Sequence, residues 1–112
     1  RVVIPRAVED AARASFAELC EKPLGPADYL AIAGAFHTVL IDRIPRLSRA
    51  KNNEAKRFVT LIDALYEARR LVICSAEAEP TELYLEGEGA FEFQRTVSRL
   101  IEMGSADWPP RR

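Results

Sequence analysis

The chain is poor in the residues that usually announce chemistry. It has one histidine and two cysteines among 112 residues. A structural zinc site draws on about four clustered nitrogen and sulfur ligands. Cys20, His37 and Cys74 are scattered, and neither cysteine belongs to a Cys-x-x-Cys pair, so no metal site is expected. An excess of one charge is also missing: 16 Lys and Arg stand against 17 Asp and Glu, for a net charge of -1. That excludes a general electrostatic draw towards nucleic acid or an anionic membrane. Fully apolar runs reach only a few residues, too short to span a bilayer, and Arg1 to Ile4 lack the apolar stretch of a signal peptide. The only methionine is Met103. A translated chain begins with methionine, so the sequence reads as a piece of a longer protein. No Gly-x-x-x-x-Gly-Lys-Ser/Thr occurs. Without that cradle of amides and lysine, tight ATP binding by this chain alone is not expected, and Gly87-x-Gly89 does not replace it because no lysine follows.

What is present suits one compact domain. Apolar residues make up 48% of the chain, enough for a single core and too little for two. Val2-Val3-Ile4 reads as a strand stopped by Pro5, and Arg6 to Ala14 as a turn with a short second strand. Ser15-Phe16-Ala17-Glu18 has capping-box spacing, so a short helix is expected from Phe16 to about Glu21. Pro23 and Gly25 interrupt it, and Pro26 suits the first turn of the next helix, to about Ala35.

Thr38-Val39-Leu40-Ile41, ended by Asp42, and Leu71-Val72-Ile73-Cys74, ended by Ser75-Ala76, are continuous apolar runs. Such runs fit strands buried on both faces between helical layers, and Cys74 is then a small buried hydrophobe. Between them a helix is expected from about Asn53 to Arg69. Phe58, Ile62, Leu65 and Arg69 form one row, and Ala55, Val59, Ile62 and Tyr66 the next. Asn52 or Asn53 is its expected cap. Strand, helix and strand make a βαβ unit, which is parallel and right-handed in nearly every known case. A short helix over Thr81 to Leu85, a loop over Glu86 to Gly89 and a final helix over Phe91 to Met103 follow. The final helix carries Phe93, Val97, Leu100 and Ile101 on one face, with Gly104 at its end. The expected fold is an α/β three-layer sandwich around a small, mostly parallel sheet. It forms a single domain over residues 1–108, with 109–112 as a tail. A sheet this small leaves edges open, so dimerisation or exposed apolar surface is expected.

Four residues are candidate phosphate contacts. Asp42 and Ser75 end adjacent parallel strands, where doubly wound sheets gather ligands. An aspartate there can hold Mg²⁺ through water, and a serine can bond a phosphate. The competing reading is a turn aspartate and a serine satisfying a backbone group. Arg95 and Arg99 lie one turn apart on the last helix, and Arg57 lies on the central one. Arginine forks suit phosphates, against a plain reading as salt bridges on a solvated face. Thr96 and Ser98 add polar character nearby. His37 reads as structural.

Several strings together resemble a known family. They are Phe36-His37-Thr38 with Ile44-Pro45, Asn53-Glu54-Ala55-Lys56-Arg57-Phe58, Leu61-Ile62-Asp63-Ala64-Leu65-Tyr66-Glu67, Leu83-Tyr84 and, above all, Phe91-Glu92-Phe93-Gln94-Arg95-Thr96-Val97-Ser98-Arg99-Leu100-Ile101-Glu102-Met103. The chain resembles, from about Val2 to Trp108, the C-terminal part of the ZapE/AFG-like ATPases of the P-loop (AAA+-type) class. The resemblance implies a parent that binds and hydrolyses Mg-ATP, with Walker A, Walker B and the first sensor upstream of Arg1. It implies the ATPase core as an intramolecular partner and a role at the bacterial division ring, or in mitochondrial quality control. With two free thiols, a bacterial cytoplasmic location is expected, with no nucleic acid, no transmembrane segment and no cofactor for this chain alone. No catalytic residue carries over, because the catalytic motifs have no matching positions here.

The order of strand with Asp, helix, strand with Ser also resembles a degenerate second copy of the Walker B to sensor region. Two other readings compete. A receiver-like domain would take a phosphoryl group on Asp42 with Ser75 as switch hydroxyl, but the N-terminal acidic pair and a later Lys-Pro strand end are missing. A pure protein-interaction module would have no nucleotide role.

Overall fold

A computed structural model describes residues 6–8, 11–84, 89–105 and 107–109. The expected strand at Val2 to Ile4 and most of the loop at Glu86 to Gly89 lie outside them. The chain forms a small α/β unit around one four-stranded sheet of order β1-β2-β3-β4. β1 (Arg6–Val8) pairs antiparallel with β2 (Ala11–Ser15); β2 pairs in parallel with β3 (Thr38–Ile44), and β3 in parallel with β4 (Leu71–Ala76). The mostly parallel sheet and the βαβ pairing are as expected.

The local signals explain most of the elements. The capping box forms at both ends: the amide of Glu18 donates to Ser15 Oγ at 3.1 Å, and the amide of Ser15 donates to Glu18 Oε1 at 2.8 Å. The turn that follows, Ala17–Glu21, is wound as a π-helix. α1 (Pro26–Ala35) opens on its proline, and the Gly25 amide donates to Asp28 Oδ2 at 2.8 Å. α2 (Asn52–Glu67) buries Ala55, Phe58, Leu61, Ile62, Ala64 and Leu65, the stripe expected from 3.6-residue spacing.

Its ends differ from expectation. A 3₁₀ turn at Arg49–Lys51 runs straight into α2, so neither Asn52 nor Asn53 caps it. Asn52 Oδ1 instead accepts from the Tyr84 hydroxyl at 3.0 Å. Arg69 lies beyond the helix, at φ 60°. The expected helix after Pro80 is only a 3₁₀ turn, Pro80–Glu82. α3 spans Phe93–Met103, starting two residues later than expected, and Gly104 does cap it. Ile101 is 56% exposed and so does not share the buried face. Thr96 and Met103 do, because tertiary contacts rather than one clean period set which side of α3 is covered.

Phe16, Phe58 and Phe93 run through the core as an aromatic ladder. Phe58 lies 5.8 Å from Phe16 and 6.1 Å from Phe93, centroid to centroid. Tyr84 meets Phe93 edge-on at 5.5 Å. The ladder ties the β2 end, α2, α3 and the segment before Leu85 into one cluster.

The sheet buries one face. Ala12, Ala14, Val39 and Ile41 belong to the core. Side chains alternate along a strand, so the other face carries the registered row Arg13, Leu40 and Ile73, followed by Asp42 and Ser75. Arg13 is exposed, Leu40 is half-buried and Ile73 is 58% exposed. The expectation that both apolar runs are buried on both faces therefore fails, most clearly for β4. Cys74 is exposed rather than buried. An apolar run is buried only where something covers it, and β4 is the outermost strand with a partner on one side among the described residues.

Candidate functional site

The four candidate residues fall into two groups. The first lies on the sheet. Asp42 was expected to end β3, but β3 continues to Ile44 through an irregularity between Ile41 and Ile44. Arg43 takes the left-handed conformation there, at φ 59°, which costs a non-glycine residue about 1–2 kcal/mol. The bulge turns the Arg43 amide away from the regular ladder, and Ser75 Oγ accepts it at 2.9 Å. Ser75 thus satisfies a displaced backbone group. Asp42 accepts from Arg13 Nε at 2.6 Å. That contact, first through the hydrogen bond and then through its charge, raises the Arg13 pKa further. The adjacency of β3 and β4 is as expected, yet Asp42 turns to β2 and Ser75 serves Arg43.

The second group joins α2 to α3. Asp63 receives Arg95 Nη2 at 3.1 Å and Arg99 Nη1 at 2.5 Å, while Arg99 Nη2 lies 3.5 Å from Glu67 Oε2. Arg99 also sits over the Tyr66 ring, 4.4 Å from its centroid. The Tyr66 hydroxyl donates to Glu102 Oε1 at 2.7 Å, which raises its pKa. The opposite face of this assembly is closed by Trp108, stacked on Tyr66 at 5.0 Å, whose Nε1 donates to the Arg70 carbonyl at 2.7 Å. The spacing of Asp63 and Glu67, one turn apart on α2, matches that of Arg95 and Arg99 on α3. This was the signal for a helix–helix clamp, and sequence reasoning read only the basic half of it.

Arg57 Nη1 donates to the Cys20 carbonyl at 2.9 Å, holding the π-helix against α2. Cys20 is fully buried, and desolvation pushes its thiol up to about 12. Tyr29 is likewise raised by burial, its hydroxyl donating to the Leu19 carbonyl at 2.8 Å. His37 is exposed, and its carbonyl accepts the Leu71 amide at 3.0 Å. Thr96 is buried on α3, and among the described residues its hydroxyl has no hydrogen-bond partner.

A cavity of about 570 Å³ runs beside β4 between Val72, Cys74 and Ala76 on one wall and Leu100 and Met103 on the other. Glu77, Glu79 and Glu82 line its end. Among the described residues no group of three or more His, Cys, Asp or Glu is placed to hold a metal, and no helix is long and apolar enough to cross a membrane.

Comparison with known proteins gives these elements a context. The family model for AFG1-like ATPases matches residues 1–112. The chain is 39% identical over 97 residues to the Cell division protein ZapE of Escherichia coli (strain K12), covering 87% of this chain and 26% of that protein. It is 39% identical over 111 residues to Lactation elevated protein 1 homolog B of Danio rerio, covering 99% of this chain and 22% of that protein. A protein of Schizosaccharomyces pombe, C115.02c, is 30% identical over 136 residues, covering 96% of this chain and 30% of its own length. The chain therefore spans between about a fifth and a third of the length of these relatives. No solved structure matches it.

Proposed function

The chain belongs to the AFG1-like ATPase family, and from that premise we propose that it is the C-terminal region of a Mg-ATP-hydrolysing parent and serves there as a packing and partner-binding part. In this reading the Walker A, Walker B and first sensor elements lie upstream, and the division role carried by the name of the Escherichia coli relative extends to the parent. A bacterial cytoplasmic location and contact with the division ring or another protein partner go with it.

The observation that carries the reading is the state of the arginines. An arginine already hydrogen-bonded to carboxylates must give up strong charge-assisted bonds before its fork can take a phosphate. Here Arg95 and Arg99 converge on Asp63, with Glu67 beside Arg99, and Arg13 is matched by Asp42. The cations are used to hold helix to helix and strand to strand. The open row Arg13, Leu40 and Ile73 supplies a face against which the ATPase core can pack, since a half-apolar sheet face gains by leaving water.

Two experiments test this. The chain is titrated with a fluorescent ATP analogue, with and without Mg²⁺, and no saturable binding is expected. Mg²⁺-dependent binding would instead make Asp42, Ser75, Arg95 and Arg99 a phosphate site of their own. In the full-length parent, Arg99→Glu is expected to lower stability while leaving the ATPase rate per folded molecule intact. A rate that collapses with the fold preserved would mean that an arginine leaves Asp63 to reach a phosphate.

A further inference from the structure

The outer edge of β4 is built to receive another strand. The amides of Leu71 and Glu77 donate inward, to the carbonyls of His37 at 3.0 Å and Ile44 at 2.9 Å. Backbone groups alternate sides along a strand, so the N–H and C=O groups of Val72, Cys74 and Ala76 point outward. The carbonyl of Arg70, one step earlier in the same outward series, is taken by Trp108 Nε1 at 2.7 Å, which marks where the open stretch begins. Among the described residues nothing pairs with that edge.

Edges left open in solution are usually blunted by charge, by proline or by a bulge on the edge strand itself. β4 reads Leu-Val-Ile-Cys-Ser-Ala and has none of these, while Ile73 is 58% exposed. The 570 Å³ groove runs alongside it, with Val72, Cys74 and Leu100 in its walls. An edge this apolar calls for an occupant, and the charges flanking β4 say which.

Arg69 and Arg70 precede the strand, and Glu77 and Glu79 follow it. A strand that is basic at its start, apolar in its middle and acidic at its end complements itself when turned antiparallel. A parallel copy would set arginine beside arginine and glutamate beside glutamate, which is destabilising. We propose that the free edge of β4 is a self-association site, where a second copy of this chain adds its own β4 antiparallel about a two-fold axis at Cys74. This goes beyond the packing role above, which uses the sheet's face and not its edge.

The register follows from pairing all three outward residues at once. Cys74 lies opposite Cys74 of the second copy, and Val72 opposite Ala76. Each such pair exchanges two hydrogen bonds, giving about six between the copies. Arg69, in a left-handed turn at φ 60°, and Glu79 of the second copy then lie at the same end of the pairing, beyond its last hydrogen-bonded residues. The two Cys74 Cα atoms come to about 5.5 Å, within the range a disulfide can bridge, so the pair serves as a probe of the geometry.

The test uses the full polypeptide that carries this chain. Sedimentation velocity measures self-association, and copper-phenanthroline in air oxidises the two facing thiols to a disulfide, passing their two electrons to oxygen. We expect a covalent dimer that disappears in Cys74→Ser. Cys74→Pro removes an outward amide that the β3 ladder does not use, so it should weaken association by about tenfold or more while the far-ultraviolet spectrum is retained. Should that variant fail to fold, the charge exchange decides: Arg69→Glu and Glu79→Arg should each weaken association, and the double variant should restore it. A monomeric wild-type protein, an oligomer with no Cys74 crosslink, or exchange-protected amides at Val72, Cys74 and Ala76 in the monomer would each overturn the proposal. The last would mean that other parts of the polypeptide already cover the edge.

Discussion

Ser75 and Arg43 show how one residue's conformation decides another's task. The left-handed turn at Arg43 displaces an amide, and the Ser75 hydroxyl takes it up. Ser75→Ala should therefore cost about 1 kcal/mol, the net value of a partly exposed hydrogen bond, read as a shift of the urea midpoint at constant slope. Arg43→Gly should stabilise by a similar amount, because glycine adopts positive φ without steric cost. The two cysteines make a second contrast. Cys20 is buried, while Cys74 is within reach of reagents. Protein mass around the Cys74 thiol still raises it, to about 11, so access makes Cys74 reactive and its high pKa makes it slow. In the native state a thiol reagent should label Cys74 alone, and Cys20 only on unfolding.

The raised Cys20 pKa also has a sign in stability. The unfolded chain ionises this thiol near the ordinary value of 9.0, and the folded chain only towards about 12. The contribution is complete below pH 9 and is lost as pH rises from there towards 12, because the unfolded state releases its proton first. Denaturation at stepped pH should show this alkaline decline, and Cys20→Ala should make it shallower.

Between elements, the α2–α3 clamp is the organising contact. Asp63 gathers two arginines that lie one turn apart on the facing helix, and Tyr66 packs between Arg99 and Trp108. Arg95 is largely exposed and Arg99 largely covered, so the two pairs are unequal. Asp63→Ala should cost about 1 kcal/mol, mostly through Arg99, and the loss should shrink in high salt, where exposed charges are screened. Trp108→Ala should be worse, because it removes a stacked ring together with the bond to the Arg70 carbonyl. Comparing the two thermal midpoints separates packing from charge.

For the molecule as a whole, the aromatic ladder through Phe58 is the central support. Phe58 is fully buried between Phe16 and Phe93. Phe58→Ala should destabilise by about 3–5 kcal/mol, a large part of the total stability of a small domain, and calorimetry should show a much lower or absent transition. The sheet around this core is covered on one face and open on the other. Covering that face is what the packing role asks of the ATPase core, and extending the β4 edge is what self-association asks of a second copy.

Much of this was written in local spacing. Ser15 and Glu18, three residues apart, form their capping box as read, since both bonds lie within one turn. The stripe on α2 and the parallel β3–β4 pairing follow from periodicity and from the length of the crossover. Element ends were less legible: the 3₁₀ turn at Arg49–Lys51 displaced the expected asparagine cap because Asn52 was needed by Tyr84, 32 residues away. Burial of β4 was beyond local reading altogether. Leu-Val-Ile-Cys looks the same in a central strand and at an edge, and the difference lies in whether a neighbour is there to exclude water. For the same reason the arginines of α3 could be read either as phosphate donors or as plain salt bridges until the fold set Asp63 and Glu67 opposite them. Residue type and spacing settle which elements form, because those preferences act within a few residues; which surfaces they cover, and which charges are already matched, depends on contacts between residues far apart in the chain.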